Sequence, residues 1–245
     1  SIATHALSIF CDHQDIYATR QTGCAILFSS SVQQVMDLTP ISYLSALKGS
    51  IPFINAFDGF RTSHELQKIK MIDIEKIKDL IDQEALEKFR SKALNPGKKI
   101  TRGTTQNDDV YFQNMESRNS YYDRLPYIVE EYMNEINKIT NENYKLFNYY
   151  GSKNATRIIV AMGSVCETIK ETIDYLNERN ENVGLIEVHL YRPFSIKHIL
   201  DVLPPSVEKI AVLDRTKESG SSGEPLYLDV VNAFKEKNIH IIGGR

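Results

Sequence analysis

Cysteine is scarce in this 245-residue chain: Cys11, Cys24 and Cys166 are odd in number, far apart, and form no Cys-x-x-Cys pair. That excludes a disulfide framework and a conventional iron–sulfur or structural zinc site, and points to a reducing compartment. No apolar run approaches the roughly 20 residues needed to cross a bilayer, and Ser1 to Leu7 carry no positively charged leader. There is no basic stripe either. With 29 Lys and Arg against 32 Asp and Glu the net charge is -3, so nothing electrostatic argues for nucleic acid or a membrane surface. The dinucleotide pattern G-x-G-x-x-G is also missing.

What is there is ordinary globular composition, 42% hydrophobic and 25% charged, in a length that holds one large core or two modest ones. We read two. Ser1 is not methionine and Ile2 to Phe10 already reads as a buried apolar segment, so the chain is expected to be a piece of something longer.

Gln14 to Thr19 and Gly23 to Phe28 are β-prone runs. Ser31 with Gln34 three residues on has the form of a capping box and opens a helix carrying Val32, Val35, Met36, Ile41, Leu44 and Leu47. Pro40 is expected to kink or split it, and Gly49 to close it before a strand from Ile51. Ile74 to Phe89 has helical spacing and predicts a surface pair broken near Asp82. From Asn95 to about Arg124 no period is clear, only Pro, Gly, Asn and aromatics, which reads either as an arm packing on a neighbour or as an element without a local signature. Pro126 is expected to start a helix to Thr140, and Gly151 to Thr156 to be a linker. Beyond it strands and helices alternate strictly: strands at 157–162, 183–190, 209–213 and 239–242, helices at 167–180, 195–203 and 225–237. That order predicts a small doubly wound α/β domain.

The most informative stretch is Ile51-Pro-Phe-Ile-Asn-Ala-Phe-Asp-Gly-Phe-Arg-Thr-Ser-His-Glu65, a strand ending abruptly in a loop with Asp58, Arg61, His64 and Glu65. Ligands of parallel α/β sheets bind outside strand carboxyl ends, so these side chains are set toward a shared cleft; taken alone, the loop equally fits a solvated turn. Gly163-Ser164 at a strand–helix junction offers N–H groups to an anion or is a tight turn. Cys166 at the same helix start is read as a small core thiol. The loop Asp214 to Tyr227, with Arg215, Lys217, Gly220 and Gly223, is either a flexible surface loop or an interface. His5 and His13 lack a third ligand at suitable spacing, and His189, His198 and His240 are isolated, so all are read as structural and no metal site is assigned.

Taken together, His5-Ala-Leu-Ser-Ile-Phe-Cys-Asp-His-Gln-Asp, Arg20-Gln-Thr-Gly, Ser29-Ser-Ser-Val-Gln, Phe57-Asp-Gly-Phe-Arg-Thr-Ser-His-Glu, Leu190-Tyr-Arg-Pro-Phe and Leu213-Asp-Arg-Thr-Lys-Glu strongly resemble the pyruvate:ferredoxin (flavodoxin) oxidoreductase family, over essentially the whole chain. The resemblance includes the relative fused to an NADP-reducing flavoprotein. It implies an α/β fold of two Rossmann-like units. Residues 1–145 would be the later part of a thiamine-pyrimidine-binding domain with a helical arm, and 152–245 a domain similar to the carboxyl-terminal domain of transketolase. The parent reaction implied is oxidative decarboxylation of pyruvate with coenzyme A to acetyl-CoA and carbon dioxide. Thiamine diphosphate, Mg2+ and 4Fe-4S clusters would serve it, and ferredoxin, flavodoxin or a fused NADP reductase would accept the electrons.

The implied partners are the remaining parent domains and a second copy in a homodimer. The implied compartment is the cytoplasm, or a hydrogenosome- or mitochondrion-like organelle where a targeting segment precedes Ser1. The family's activating glutamate and its substrate-contacting threonine and arginine would precede Ser1, and its Gly-Asp-Gly diphosphate motif matches nothing here. So this piece is expected to hold no cofactor, no catalytic residue and no activity alone, leaving Asp58, Arg61 and His64 to border the substrate channel. A non-catalytic α/β module, docking neighbours through the loops at 95–124 and 214–227, is the competing reading. Native chain mass separates the two.

Overall fold

The computed structural model describes residues 8, 9, 11–99 and 105–245. His5 and most of the apolar segment from Ile2 to Phe10 lie outside the described residues.

The chain begins with α1 (Gln14–Thr19), β1 (Ala25–Ser29), α2 (Val32–Gly49) and β2 (Phe53–Phe57). The first is a correction, since Gln14 to Thr19 is helical where a strand was expected. The Asp12 carboxylate accepts from the Gln14 N–H at 2.9 Å and starts the turn, and Tyr17 supplies the single buried face. Helix α2 starts at Ser31, whose hydroxyl accepts from the Gln34 N–H at 3.2 Å. The Gln34 side chain reaches back to the Ser30 N–H at 2.8 Å, one residue earlier than a capping box would have it. Pro40 neither ends nor splits α2, which packs on β1, β2 and a later helix. That packing outweighs the roughly 3 kcal/mol of an interior proline.

Next come α3 (Ile74–Asp79) and α4 (Gln83–Ser91), broken at Asp82, whose carboxylate caps the second. The segment expected to lack structure holds α5 (Asp108–Glu116) and the first turns of α6 (Asn119–Thr140). No residue of α5 is buried, so no apolar stripe marks it, and Pro126 sits inside α6 rather than at its start. Leu125, Val129, Met133 and Ile136 bury the face of α6 that meets α2.

The rest is β3 (Phe147–Gly151), β4 (Arg157–Ala161), α7 (Val165–Asn177), β5 (Val183–Val188), β6 (Leu190–Arg192), α8 (Ile196–Asp201), β7 (Lys209–Leu213), α9 (Pro225–Ala233) and β8 (His240–Gly244). Two sheets result, ordered β2-β1-β6 and β3-β5-β4-β7-β8. Strand β3 is an unforeseen antiparallel edge on β5, ending at Gly151 in the expected linker; a Cβ there would lie 2.6 Å from the Val183 carbonyl oxygen. The expected strand 183–190 is two: its first part lies in the larger sheet and, past His189, β6 pairs antiparallel with β1 in the smaller one.

Alternate residues of the larger sheet face opposite ways. Ile158, Val160, Ile210 and Val212 join the main core with Leu226 and Phe234, whereas Ala161 and Leu185 pack under Cys166, Ile169 and Ile173 of α7. The main core is continuous from Tyr17 and β1 to Phe234, so the two sheets share one hydrophobic interior.

Candidate functional site

Four strands end at one place. The segments after β1 (Ser30, Ser31), β2 (Arg61, Glu65), β4 (Ser164) and β7 (Arg215) line a polar cleft of about 580 Å³, across which the starts of α2 and α7 face each other. Carboxyl ends of parallel strands are where α/β proteins place ligands.

Beneath the cleft lies Asp58, 1% exposed. One of its oxygens receives the Ser164 N–H at 2.8 Å, the Ser164 hydroxyl, and Arg215 Nη1 at 3.2 Å. The other lies 2.6 Å from His13 Nε2. Burial alone would raise this carboxyl, but hydrogen bonds from His13 and Ser164 outweigh it and hold it well below the usual carboxylate range. The His13 backbone N–H donates to the Arg215 carbonyl at 2.9 Å, closing the seam between residues 11–13, the loop after β2 and the loop after β7. Gly163, at φ 83°, lets the β4–α7 turn approach; a Cβ there would lie 2.9 Å from an Asp58 oxygen.

Serine, aspartate and histidine are together here, but not as a nucleophile with its base. Both Ser164 and His13 hydrogen-bond to the carboxylate between them, so the imidazole does not activate the hydroxyl. Cys11 is no nucleophile either: burial, then the Asp58 charge, pushes its thiol up to about 12. Donor atoms of Cys11, His13 and Asp58 lie within 4.8 Å of one another, the one three-donor grouping among the described residues. A thiol among donors already hydrogen-bonded to Ser164 and Arg215 does not suit Mg2+, which demands octahedral oxygen ligands. The residues present therefore do not fit a magnesium–diphosphate site.

A second network, anchored on a buried carboxylate, reaches the same cleft through Ser30 and Glu167. Glu187 of β5, 3% exposed, accepts from Gln34 Nε2 at 3.1 Å and pairs with Lys170 Nζ at 2.9 Å, while Lys170 also reaches Glu167 at 2.8 Å. Glu167 in turn accepts from the Ser30 hydroxyl at 3.0 Å. Burial would raise Glu187, but His189 and Lys170 outweigh it and lower the carboxyl to about 2. A folded value below the unfolded one means its contribution is complete above about pH 4.3 and is lost as pH falls toward the folded value. Lys170→Met strands that charge and is expected to destabilise the chain by about 3 kcal/mol, with a flatter stability profile between pH 2 and 5 in urea titrations.

The family described as pyruvate flavodoxin/ferredoxin oxidoreductase, thiamine diphosphate-binding, matches residues 1–134, and pyruvate:ferredoxin oxidoreductase core domain II matches residues 155–245. The chain belongs to this family. It is 58% identical to the pyruvate-flavodoxin oxidoreductase of Enterobacter agglomerans, across 100% of this chain and 21% of that protein. It is 54% identical to the pyruvate:ferredoxin oxidoreductase of Moorella thermoacetica, again across 100% and 21%. To the pyruvate dehydrogenase [NADP(+)] of Cryptosporidium parvum it is 51% identical, across 100% of this chain and 13% of that one. The chain thus spans about a fifth or less of these relatives.

Within this family member the residues singled out from sequence separate. Arg61 and Arg215 share the cleft, and Asp58 lies below it as the seam's anchor. His64 is exposed, 2.8 Å from the Ser63 hydroxyl and beside the Phe60 ring, and is not among the residues lining the cleft. In the loop after β7, Asp214 accepts from the Leu226 and Tyr227 N–H groups at 2.9 and 3.0 Å, and Lys217 pairs with Glu224 at 3.2 Å. Gly220 takes φ 81°, and Gly223 lies against Tyr227. Sequence reasoning singled out Gly163-Ser164 as an anion site or a tight turn, read His13 as structural and passed over Glu187; the meeting of His13 and Ser164 at Asp58 was not visible.

No helix among the described residues is long and apolar enough to cross a membrane.

Proposed function

We propose that this chain is one part of a thiamine-dependent enzyme that oxidatively decarboxylates pyruvate with coenzyme A and passes electrons through iron–sulfur clusters to ferredoxin, flavodoxin or a fused NADP reductase. It contributes walls rather than reacting groups. The observation that carries this reading is the polar cleft where strand ends of both sheets converge, lined by Arg61 and Arg215 in a chain that matches the family end to end. Glu65 and Glu167 share the lining, and the two arginines with several hydroxyls suit the anionic part of a substrate or coenzyme passing to reacting groups held elsewhere. We assign thiamine diphosphate, Mg2+ and the clusters to segments beyond this chain, and homodimer contacts to the whole enzyme. Residues 1–145 and 152–245 serve as its pyrimidine-side and transketolase-like units.

In the complete enzyme Arg61→Ala is expected to raise the KM for pyruvate or coenzyme A about ten-fold or more with a smaller change in kcat, as loss of uniform binding does. Unchanged steady-state kinetics would remove Arg61 from the channel. Calorimetry of this chain with thiamine diphosphate and magnesium is expected to show no saturable heat at micromolar concentrations; tight binding would relocate the cofactor site.

A further inference from the structure

The larger sheet is covered fully on one face only. Helices α8 and α9 lie on the side of the main core, which takes Ile199, Leu226 and Phe234. On the opposite side α7 stands alone among the described residues, and it packs on β5 and β3. Parallel strands occur with both faces covered, so the part over β4, β7 and β8 lacks a layer. That part is an apolar groove of about 300 Å³ beside α7, floored by Ile159, Ala211 and Ile242 and walled by Ile173 and Leu176. Ile242 is 53% exposed there.

One end of the groove is basic. Arg157, Lys209 and His240 are the first residues of β4, β7 and β8, stand in register as cross-strand neighbours, and share the face of Ile159, Ala211 and Ile242 two residues on. Arg157 is paired with Glu181, whereas Lys209 and His240 have no ion-pair partner among the described residues.

We infer that in the complete enzyme this groove is covered by an amphipathic helix of the polypeptide that follows β8, antiparallel to the strands and with its carboxyl end on the basic row. Direction and charge agree on this occupant. A helix leaving the carboxyl end of β8 and packing on the sheet runs back toward the amino ends of the strands. Its last turn, with free carbonyls and the negative end of the dipole, then lies on Lys209 and His240. A right-handed crossover that added a parallel strand outside β8 would set its helix beside α9, so a helix in the groove closes the sheet instead of extending it. This chain spans 21% of the Enterobacter relative, so most of such an enzyme lies outside it. The groove shares no lining residue with the polar cleft, and the inference is independent of the reaction proposed above.

The test places thiols in the groove. Ile242→Cys is made in this chain and in the complete enzyme, and its labelling by iodoacetamide is followed by peptide mass spectrometry. In this chain the thiol is expected to react as an exposed one, and in the complete enzyme to be protected about 100-fold or more. Thr172→Cys, at an exposed position on the groove's edge, carries a benzophenone maleimide in the complete enzyme. Irradiation is expected to join it to a peptide of the same polypeptide from the segment directly after β8, with enzyme mixed from isotope-labelled and unlabelled subunits separating that link from one to a second copy. Lys209→Glu is expected to reduce the protection about five-fold, as reversal of a charge beside a helix end does, while the urea midpoint of this chain stays unchanged because Lys209 is exposed in it. Equal labelling of both proteins, a cross-link to a second copy or to another part of the enzyme, or protection that Lys209→Glu leaves unaltered overturns the assignment.

Discussion

Asp58→Ala is expected to destabilise this chain by about 3–5 kcal/mol, enough to consume much of a typical domain's stability, as read from the urea midpoint at constant slope. The side chain is buried and takes hydrogen bonds from His13, Arg215 and two Ser164 donors, so removing it strands donors from three segments at once. Asn at 58 should recover little, because its amide turns one acceptor oxygen into a donor facing donors. Acid should act like the mutation. The folded carboxyl titrates well below the unfolded one, so its contribution is full above about pH 4 and drains away as pH falls toward the folded value. The Asp58→Ala variant should therefore lose less stability on acidification than the parent chain. Equal losses from pH 5 to pH 2 would show that the carboxylate is not held by this network.

Gly163→Ala is the second large effect, expected at about 3 kcal/mol. A φ of 83° alone costs a side chain about 1–2 kcal/mol, and the new methyl would sit 2.9 Å from both an Asp58 oxygen and the Phe28 ring. Those neighbours are buried and hydrogen-bonded or packed, so neither can yield cheaply. Denaturation of Asp58→Ala, Gly163→Ala and the double variant should show strong coupling, the pair costing less than the sum because the alanine at 58 removes one clash. Strict additivity would mean that Gly163 is needed for its backbone alone.

The β–α alternation from Arg157 onward was legible because amphipathic spacing and loop residues are local signals, and so was the break near Asp82, which the structure shows to be the N-cap of α4. Helix α1 was not, because its one buried residue, Tyr17, leaves no periodicity to read. Helix α5 was hidden for the opposite reason, exposure on every side. Asp58, Arg61 and His64 are close in sequence, yet the structure buries the first, sets the second on the cleft and leaves the third in solvent.

By itself the sequence determined the α/β class, the doubly wound order of the later half and, through its motifs, the family. These rest on residue type and spacing along the chain. Only the tertiary structure decided that one strand changes sheets at His189, that the two sheets share a core, and that Asp58 is buried against His13, Ser164 and Arg215. Those facts depend on partners far apart along the chain, 157 residues for Asp58 and Arg215 and 161 for Phe28 and His189, and no local pattern carries information about a pairing at that distance.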